Sequence, residues 1–516
     1  MDIGKEVLAI DKLGQTNTSA AIERCVGLVE KYPNTGEFWI CLGNLMSTTN
    51  QWYKTEMFAR RALEIDEKKF FVARILIAMA RLRVGDAESA LRHINLVLEH
   101  FPTDTQCLQI RSDSLLHMRS TATDVREARL AWVKQKLPQP KIAPLTTADS
   151  TPDRPLRIGI LSADLREHSV LFFFLGYIRN HDPENYPVFI YSGNEANDAA
   201  TDEIKKHAAG WKNIRKMSPE AACRLIRKDK IDILLDLSGQ SKGNRMDVIA
   251  RRAAPIQATW MGAVETTGTR EMDFRISEHD IDPAEYDEQH SEQVIRMSCL
   301  ASYTPPRYSP LKTKSPSLEK GHTTLLSLNN LRKLSTECLQ TWSLILREAP
   351  AARLLMMTSA TLDNEALGQI KPRLEEFSFN LDQIDFLNFQ PLEQYMESGH
   401  IADILLDTFP VSGLTTSLHA LWMGLPVVCM EGTLSNQRLT ASILRKFGLE
   451  KYIAKTHAEY IQLVLDFIEN PEKLQIFRET IRDRMLGSPW MNHAARAQEL
   501  EKTMRLLWQK KISNTQ

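Results

Sequence analysis

At 516 residues the chain is too long for one ordinary core, so two to four domains are expected. Hydrophobic residues make up 43% and charged residues 25%, with 64 Lys and Arg against 65 Asp and Glu and a formal net charge of −1. That balance excludes a basic nucleic-acid-binding chain and a charged tail, and apolar runs such as "VLFFFLGYI" fall short of the ~20 residues of a membrane span. The opening "MDIGKEVLAIDKLG" is too charged for a secretory signal. Seven cysteines without metal-binding spacing point to reduced thiols, so a cytoplasmic location is expected.

Residues 1–135 read as helix throughout. The segments "AIERCVGLVEKYP", "FARRALEID" and "AESALRHINLVLEHFP" end at Pro33, Asp66 and Pro102, a period near 34. Small residues such as Ala59, Ala62 and Ala90 let paired helices approach closely, and "FWICLGNL" fits the first helix of a tetratricopeptide unit. Three such units are expected, with a generic helical bundle as the plainer alternative. Residues 136–155, "KLPQPKIAPLTTADSTPDRP", carry five prolines and read as a linker or strap.

Beyond it the pattern changes. "LRIGILSAD", "PVFIYS", "IDILLDLSG" and "IQATWMG" are short β-rich runs separated by helical segments. After a second break near "TPPRYSPLKTKSPS" the pattern resumes with "TTLLSLN", "ARLLMMT", "IDFLNF", "ADILLD" and "LPVVCM". Two doubly wound α/β domains are expected, over 156–308 and 320–516, the second with a closing helix, and ligands at the carboxyl ends of the strands.

Several strand ends carry polar residues that a core does not need. Asp164 and His168 follow the first strand, where a histidine can act as a general base or orient a hydroxyl. Asn330 and Lys333 follow "LLSLN", and a lysine there suits a departing diphosphate, although a lone lysine is more often solvated. Thr415 and Thr416 open a helix whose N-terminus suits an anion, and His419 shares their face. Core packing against Trp422 or Met423 is the plainer alternative for His419. Gln390 and Tyr395 could frame a flat base, or Tyr395 could be a half-buried aromatic. Asp280 and Asp282 form a DxD, but in an acidic loop away from the expected donor side, so no metal site is assigned. GxGxxG after a first strand and GxSxG are both absent.

Together "RIGILSAD…H", "APIQATWMG…TTG", "MDFRISE…PAE…EQHSE", "LSLNNLRK", "ADILLDTFP", "GLTTSLHALWMGLPVV" and "RLTASIL" resemble the protein O-GlcNAc transferases and SPINDLY-like transferases, family 41 glycosyltransferases. The resemblance runs from about residue 150 to the C-terminus. It implies a GT-B fold and an inverting, metal-independent transfer of a sugar, GlcNAc as first expectation, from a UDP-GlcNAc-type donor to Ser or Thr of a protein held by the repeats, with no cofactor. By position it makes His168, Asp164 and Lys333 catalytic. It places Asn330, Tyr395, Thr415, Thr416 and His419 at the donor, where Gln390 is also expected from the residues alone, with the Thr266-Thr267-Gly268 loop facing the sugar. The chain departs from the family at Leu414 (His in animal enzymes), His419 (Asp or Glu), Leu392 (Lys) and Ala263-Val264-Glu265 (aromatic-Pro-Gly). Transfer of fucose, or of glucose to Asn, belongs to the same family. A binding or assembly protein with a lapsed site is the reading from another class.

Overall fold

In a computed structural model of the chain, residues 2–137, 145, 149–195, 197–263, 265–311, 314–357 and 364–513 are described. Eight helices come first, in antiparallel pairs: Ile3–Thr16 with Thr18–Lys31, Gly36–Thr48 with Trp52–Ile65, Ala73–Arg83 with Ala87–His100, and Thr105–Leu116 with Ala122–Lys136. Asn17, Asp86, Asp104 and Thr121 start four of them by accepting from first-turn N–H groups. Ala59, Ala62 and Ala90 are fully buried where helices meet. The stack has four pairs rather than the three read from the sequence. The last helix hides its place in the repeat because it buries Arg129 and Trp132 against the next domain.

The first sheet contains β1 (Ile158–Ser162), β2 (Val188–Ser192), β3 (Gly210–Asn213), β4 (Ile233–Asp236), β5 (Ile256–Trp260), β6 (Phe274–Glu278) and β7 (Gln293–Met297). All its pairings are parallel, in the order β3-β2-β1-β4-β5-β6-β7. The second contains β8 (Thr324–Ser327), β9 (Arg353–Met357), β10 (Ile384–Leu387), β11 (Ile404–Leu406), β12 (Val427–Met430) and β13 (Ile453–Ala454), parallel in the order β10-β9-β8-β11-β12-β13. This is the GT-B arrangement of two Rossmann-like domains behind a helical repeat stack. In each sheet the order reverses beside the first strand, between β1 and β4 and between β8 and β11. Such switch points are where open α/β sheets bind ligands.

The closing helix His493–Ser513 does not stay with the second domain. It crosses to the first, where Glu501 accepts from the Asp182 N–H at 2.7 Å and Trp508 Nε1 donates to the Thr151 carbonyl at 3.2 Å. Residues 149–155 are thereby strapped along it, whereas 138–144 and 146–148 of the expected linker lie outside the described residues. One apolar cluster continues from β1 and the helix Leu171–Asn180 into the helix Thr415–Trp422 and the closing helix, tying the two domains together. No described helix is long and apolar enough to cross a membrane.

Candidate active site

The second switch point gathers the densest polar constellation. Asn329, directly after β8, is 2% exposed; its Nδ2 donates to Asp407 Oδ1 at 3.1 Å. Its Oδ1 accepts from Thr416 Oγ1 at 3.1 Å and lies 3.4 Å from Lys333 Nζ. Lys333 also donates to the Ser412 carbonyl at 2.8 Å. Burial lowers its pKa, and the Asp407 carboxylate opposes that by favouring the ammonium. Asp407, directly after β11, accepts from the Gly413 N–H at 2.8 Å. A side chain at Gly413 would collide with Thr416, Ser417 and Asp407, so only glycine lets this loop close so tightly on the carboxylate.

The helix Thr415–Trp422 starts at this point. Its N-cap is Leu414, which offers no side-chain acceptor to the first-turn N–H groups. Those donors, the half-buried Thr415 and Thr416, and the Lys333 ammonium meet at one point, a cation beside N–H dipoles that suits a diphosphate.

Asn330 lies at the rim of this group. It is exposed and turns back to accept from the Arg332 N–H at 3.0 Å, capping the 3-10 turn Leu331–Lys333; its neighbour Asn329 faces the site. Consecutive residues leaving a strand point to opposite sides, so the pair divides the two tasks. Sequence reasoning also missed Asp407, although it ends the strand motif "ADILLD" at the carboxyl end of a parallel strand, where such sheets place their ligand-binding groups.

His419 departs from its expected place as well. It is 3% exposed, with its ring edge-on to Phe172 at 4.7 Å and to Tyr395 at 5.6 Å, and 5.9 Å from Tyr303. Its Nε2 has no partner, and burial pulls its pKa down to about 3. The histidine is therefore neutral at physiological pH and packs an aromatic box, rather than titrating beside a phosphate. Tyr395 is half-buried in the same box; burial raises its pKa, and its hydroxyl is unpartnered. Gln390 is half-buried in the loop between β10 and the helix Leu392–Glu397.

The first switch point supplies the facing group. Asp164, after β1, is 4% exposed and accepts from Ser241 Oγ at 2.6 Å and Ser238 Oγ at 3.4 Å. His168 Nε2 lies 3.9 Å from Asp164 Oδ1, and its Nδ1 accepts, at 3.4 Å, from the Val170 N–H. Burial lowers the His168 pKa despite Asp164, so the ring tends to be neutral, and in this arrangement its proton sits on Nε2. Asp236, the last residue of β4, is fully buried beneath them; burial, reinforced by Asp164, raises its pKa to about 6 against the Gly239 and Ser238 N–H groups. The Phe172–His419 contact packs the helix Leu171–Asn180 against the helix Thr415–Trp422. His168 precedes the first of these helices and Thr415 opens the second, so the two groups belong to elements that pack together across the domain boundary.

Thr267 is turned into the interior of its own loop. Thr266 and Thr267 are 2% and 1% exposed, and their hydroxyls and the Thr267 N–H are engaged by Ser291 and Glu292. The loop is a buttress, so the donor role expected of Thr267 is corrected. Glu265, one of its departures from the family pattern, is held at 2.9 Å by the buried Arg129 of the last stack helix. The DxD carboxylates are likewise engaged. Asp282 is 1% exposed, bound by Arg275 at 2.8 Å, His290 at 3.0 Å and Ser435 of the second domain; Asp280 pairs with Lys446 at 2.8 Å.

Residues 115–301 and 316–500 match the family model described as Glycosyl transferase family 41. The SPINDLY protein of Arabidopsis thaliana, described as a probable UDP-N-acetylglucosamine–peptide N-acetylglucosaminyltransferase, is 34% identical over 369 residues, covering 70% of this chain and 40% of that one. The SEC protein of the same plant, described likewise, is 27% identical over 376 residues, covering 70% and 38%. The chain thus spans about 40% of the length of these curated relatives. A solved mutant of the Thermobaculum terrenum O-GlcNAc transferase superposes with a TM-score of 0.84 at 27% identity, covering 100% of both chains. With its two switch-point clusters, repeat stack and matched segments, the chain belongs to glycosyl transferase family 41.

Proposed function

We propose that this chain is an inverting, metal-independent glycosyltransferase that moves a sugar, GlcNAc as first choice, from a UDP sugar to Ser or Thr of a protein. The observation that carries this reading is the convergence of Lys333, Asn329, Thr416 and an uncapped helix start at the β8/β11 switch point. In the reaction the acceptor oxygen attacks the anomeric carbon from the first-domain side as the bond to the diphosphate breaks. Lys333 and the helix N–H groups take the charge developing on the leaving group. Asp407 and Asn329 hold Lys333 charged and aimed. His168, with its proton on Nε2, orients the acceptor hydroxyl, whose proton leaves with the departing diphosphate as the new bond forms, and Asp164 steadies the ring. The assignment of cation work to Lys333 rather than a metal rests on Asp280 and Asp282, whose carboxylates are committed to Lys446 and to Arg275 and His290. The repeat stack holds the acceptor protein. Seven buried thiols, none in a disulfide, agree with a reducing, cytoplasmic setting.

The relatives' names favour UDP-GlcNAc over other donors. The aromatic box around His419, in place of a carboxylate, is the specific reason to test GDP-fucose and UDP-glucose alongside. The experiment is transfer of radiolabelled sugar to a protein mixture from each donor, with and without EDTA. Labelling from UDP-GlcNAc that survives EDTA is expected. Labelling from none of the three donors would leave the chain a binding protein, and loss with EDTA restored by manganese would reject the metal-free mechanism.

A further inference from the structure

Resting on the reading of Lys333 as the leaving-group cation, we propose that the helical stack is part of that site, with Asp113 and Gly85 as positioning residues for the turn that carries the lysine. Lys333 ends a single 3-10 turn, Leu331–Lys333, which is too short to hold its own geometry. Beyond the Asn330 cap and the burial of Leu331 and Leu334 in its own domain, it is braced by the repeats. Arg332 Nη2 lies 3.0 Å from Asp113 Oδ2 on the helix Thr105–Leu116. Gly85 has φ +81°, and a Cβ there would run into the carbonyls of Leu331 and Leu334, so the backbone of the stack lies directly on the turn. On either side, the Val84 carbonyl accepts from Arg373 Nη1 at 2.9 Å, and Glu88 Oε2 accepts from Thr336 Oγ1 at 3.2 Å. The opposite side of the turn is the site itself, where Lys333 reaches the Ser412 carbonyl. The lysine turn is therefore sandwiched between the stack and the diphosphate-facing loop.

The Arg332–Asp113 pair is partly exposed, and such pairs add little stability. What it supplies is register: a displacement of ~1 Å at a reacting group can cost about a hundred-fold in rate. Donor turnover by the full-length chain tests this, using whichever of UDP-GlcNAc and GDP-fucose the parent hydrolyses. Asp113→Ala is expected to lower the turnover number at least about ten-fold while nucleotide diphosphate affinity and Tm hold, with Asp113→Glu restoring most of the loss. Gly85→Val is expected to act in the same direction. In a Lys333→Ala background Asp113→Ala should add nothing, because the group it positions is gone. Parent-like turnover by Asp113→Ala, with Lys333→Ala severely slowed, would overturn the inference. So would equal slowing by Asp113→Ala in both backgrounds. Parent-like turnover by Lys333→Ala would instead remove the reading on which it rests.

Discussion

Burial acts on Lys333 and His419 in the same sense, disfavouring the charged form, but only Lys333 has a carboxylate to oppose it. Lys333→Ala leaves Asp407 without its cation and the leaving group without its counter-charge. A fall in turnover of about a hundred-fold is expected, as on removing an oxyanion-hole donor; steady-state kinetics with unchanged circular dichroism checks it. For His419 the consequence lies in stability. Its folded pKa is about 3 against an unfolded value near 6.5, so between those values the unfolded chain binds the extra proton. Stability from this site is therefore complete above pH ~6.5 and falls on acidification, by up to ~1.4 kcal/mol per pH unit, until pH ~3. His419→Phe, which keeps an aromatic ring beside Phe172, is expected to flatten that acid-side slope and leave nucleotide affinity between pH 6 and 8 no more pH-dependent than in the parent. Urea unfolding at pH 7, 5.5 and 4.5 measures the difference; identical slopes would place the imidazole in water. The sequence shows which residue types stand at strand ends, and hence Lys333, His168, Thr415 and Thr416. Whether Asn329 or Asn330 turns inward depends on a one-residue alternation, and two ring partners of His419, Phe172 and Tyr303, come from the other domain, so neither is visible locally.

Among elements, the loop after β6 illustrates why a motif needs its surroundings. A DxD spacing suits a cation, yet this one is an interdomain latch. Asp282 joins β6, through Arg275, to Ser435 of the second domain, and Asp280 meets Lys446 on the helix Leu439–Lys446. Against the burial that pushes it up, Arg275 and His290 hold the Asp282 carboxyl well below the usual range. Asp282→Asn strands the Arg275 guanidinium in the interior, and breaking a buried pair in this way costs about 3–5 kcal/mol. Denaturant unfolding should register that loss, and added manganese or magnesium should restore neither stability nor activity. A variant as stable as the parent, with activity that metal rescues, would return Asp282 to the chemistry. Strands with uniformly apolar runs, such as β1, β4, β11 and β12, were legible because a parallel sheet buried on both faces demands them. β3 reads "GWKN", β6 carries Arg275 and Glu278, and β13 has two residues, so none presents that signal.

At the scale of the whole molecule, the stack and the first α/β domain share a core. Helices from Ala73 onward contribute Ala78, Ile94, Val97 and Trp132 to the same apolar cluster as Leu161, Ile226 and Met246 of the first domain. The first helices form a separate cluster around Ile10, Cys25, Phe38 and Leu42. A solenoid is stable as a sum of neighbouring contacts, so loss from its free end is local while loss from its docked end is not. From sequence alone the repeats look detachable, because periodicity reveals the units but not which of them another domain buries. Removing residues 1–34 should therefore reduce labelling of a protein acceptor while leaving donor hydrolysis within about two-fold of the parent. Removing residues 1–136 should abolish both, since it uncovers the first domain and withdraws the support of the Lys333 turn. Thermal unfolding with hydrolysis and transfer rates on both truncations separates the cases. If residues 137–516 fold and hydrolyse the donor at the parent rate, the stack serves acceptor capture alone and the lysine turn stands without it.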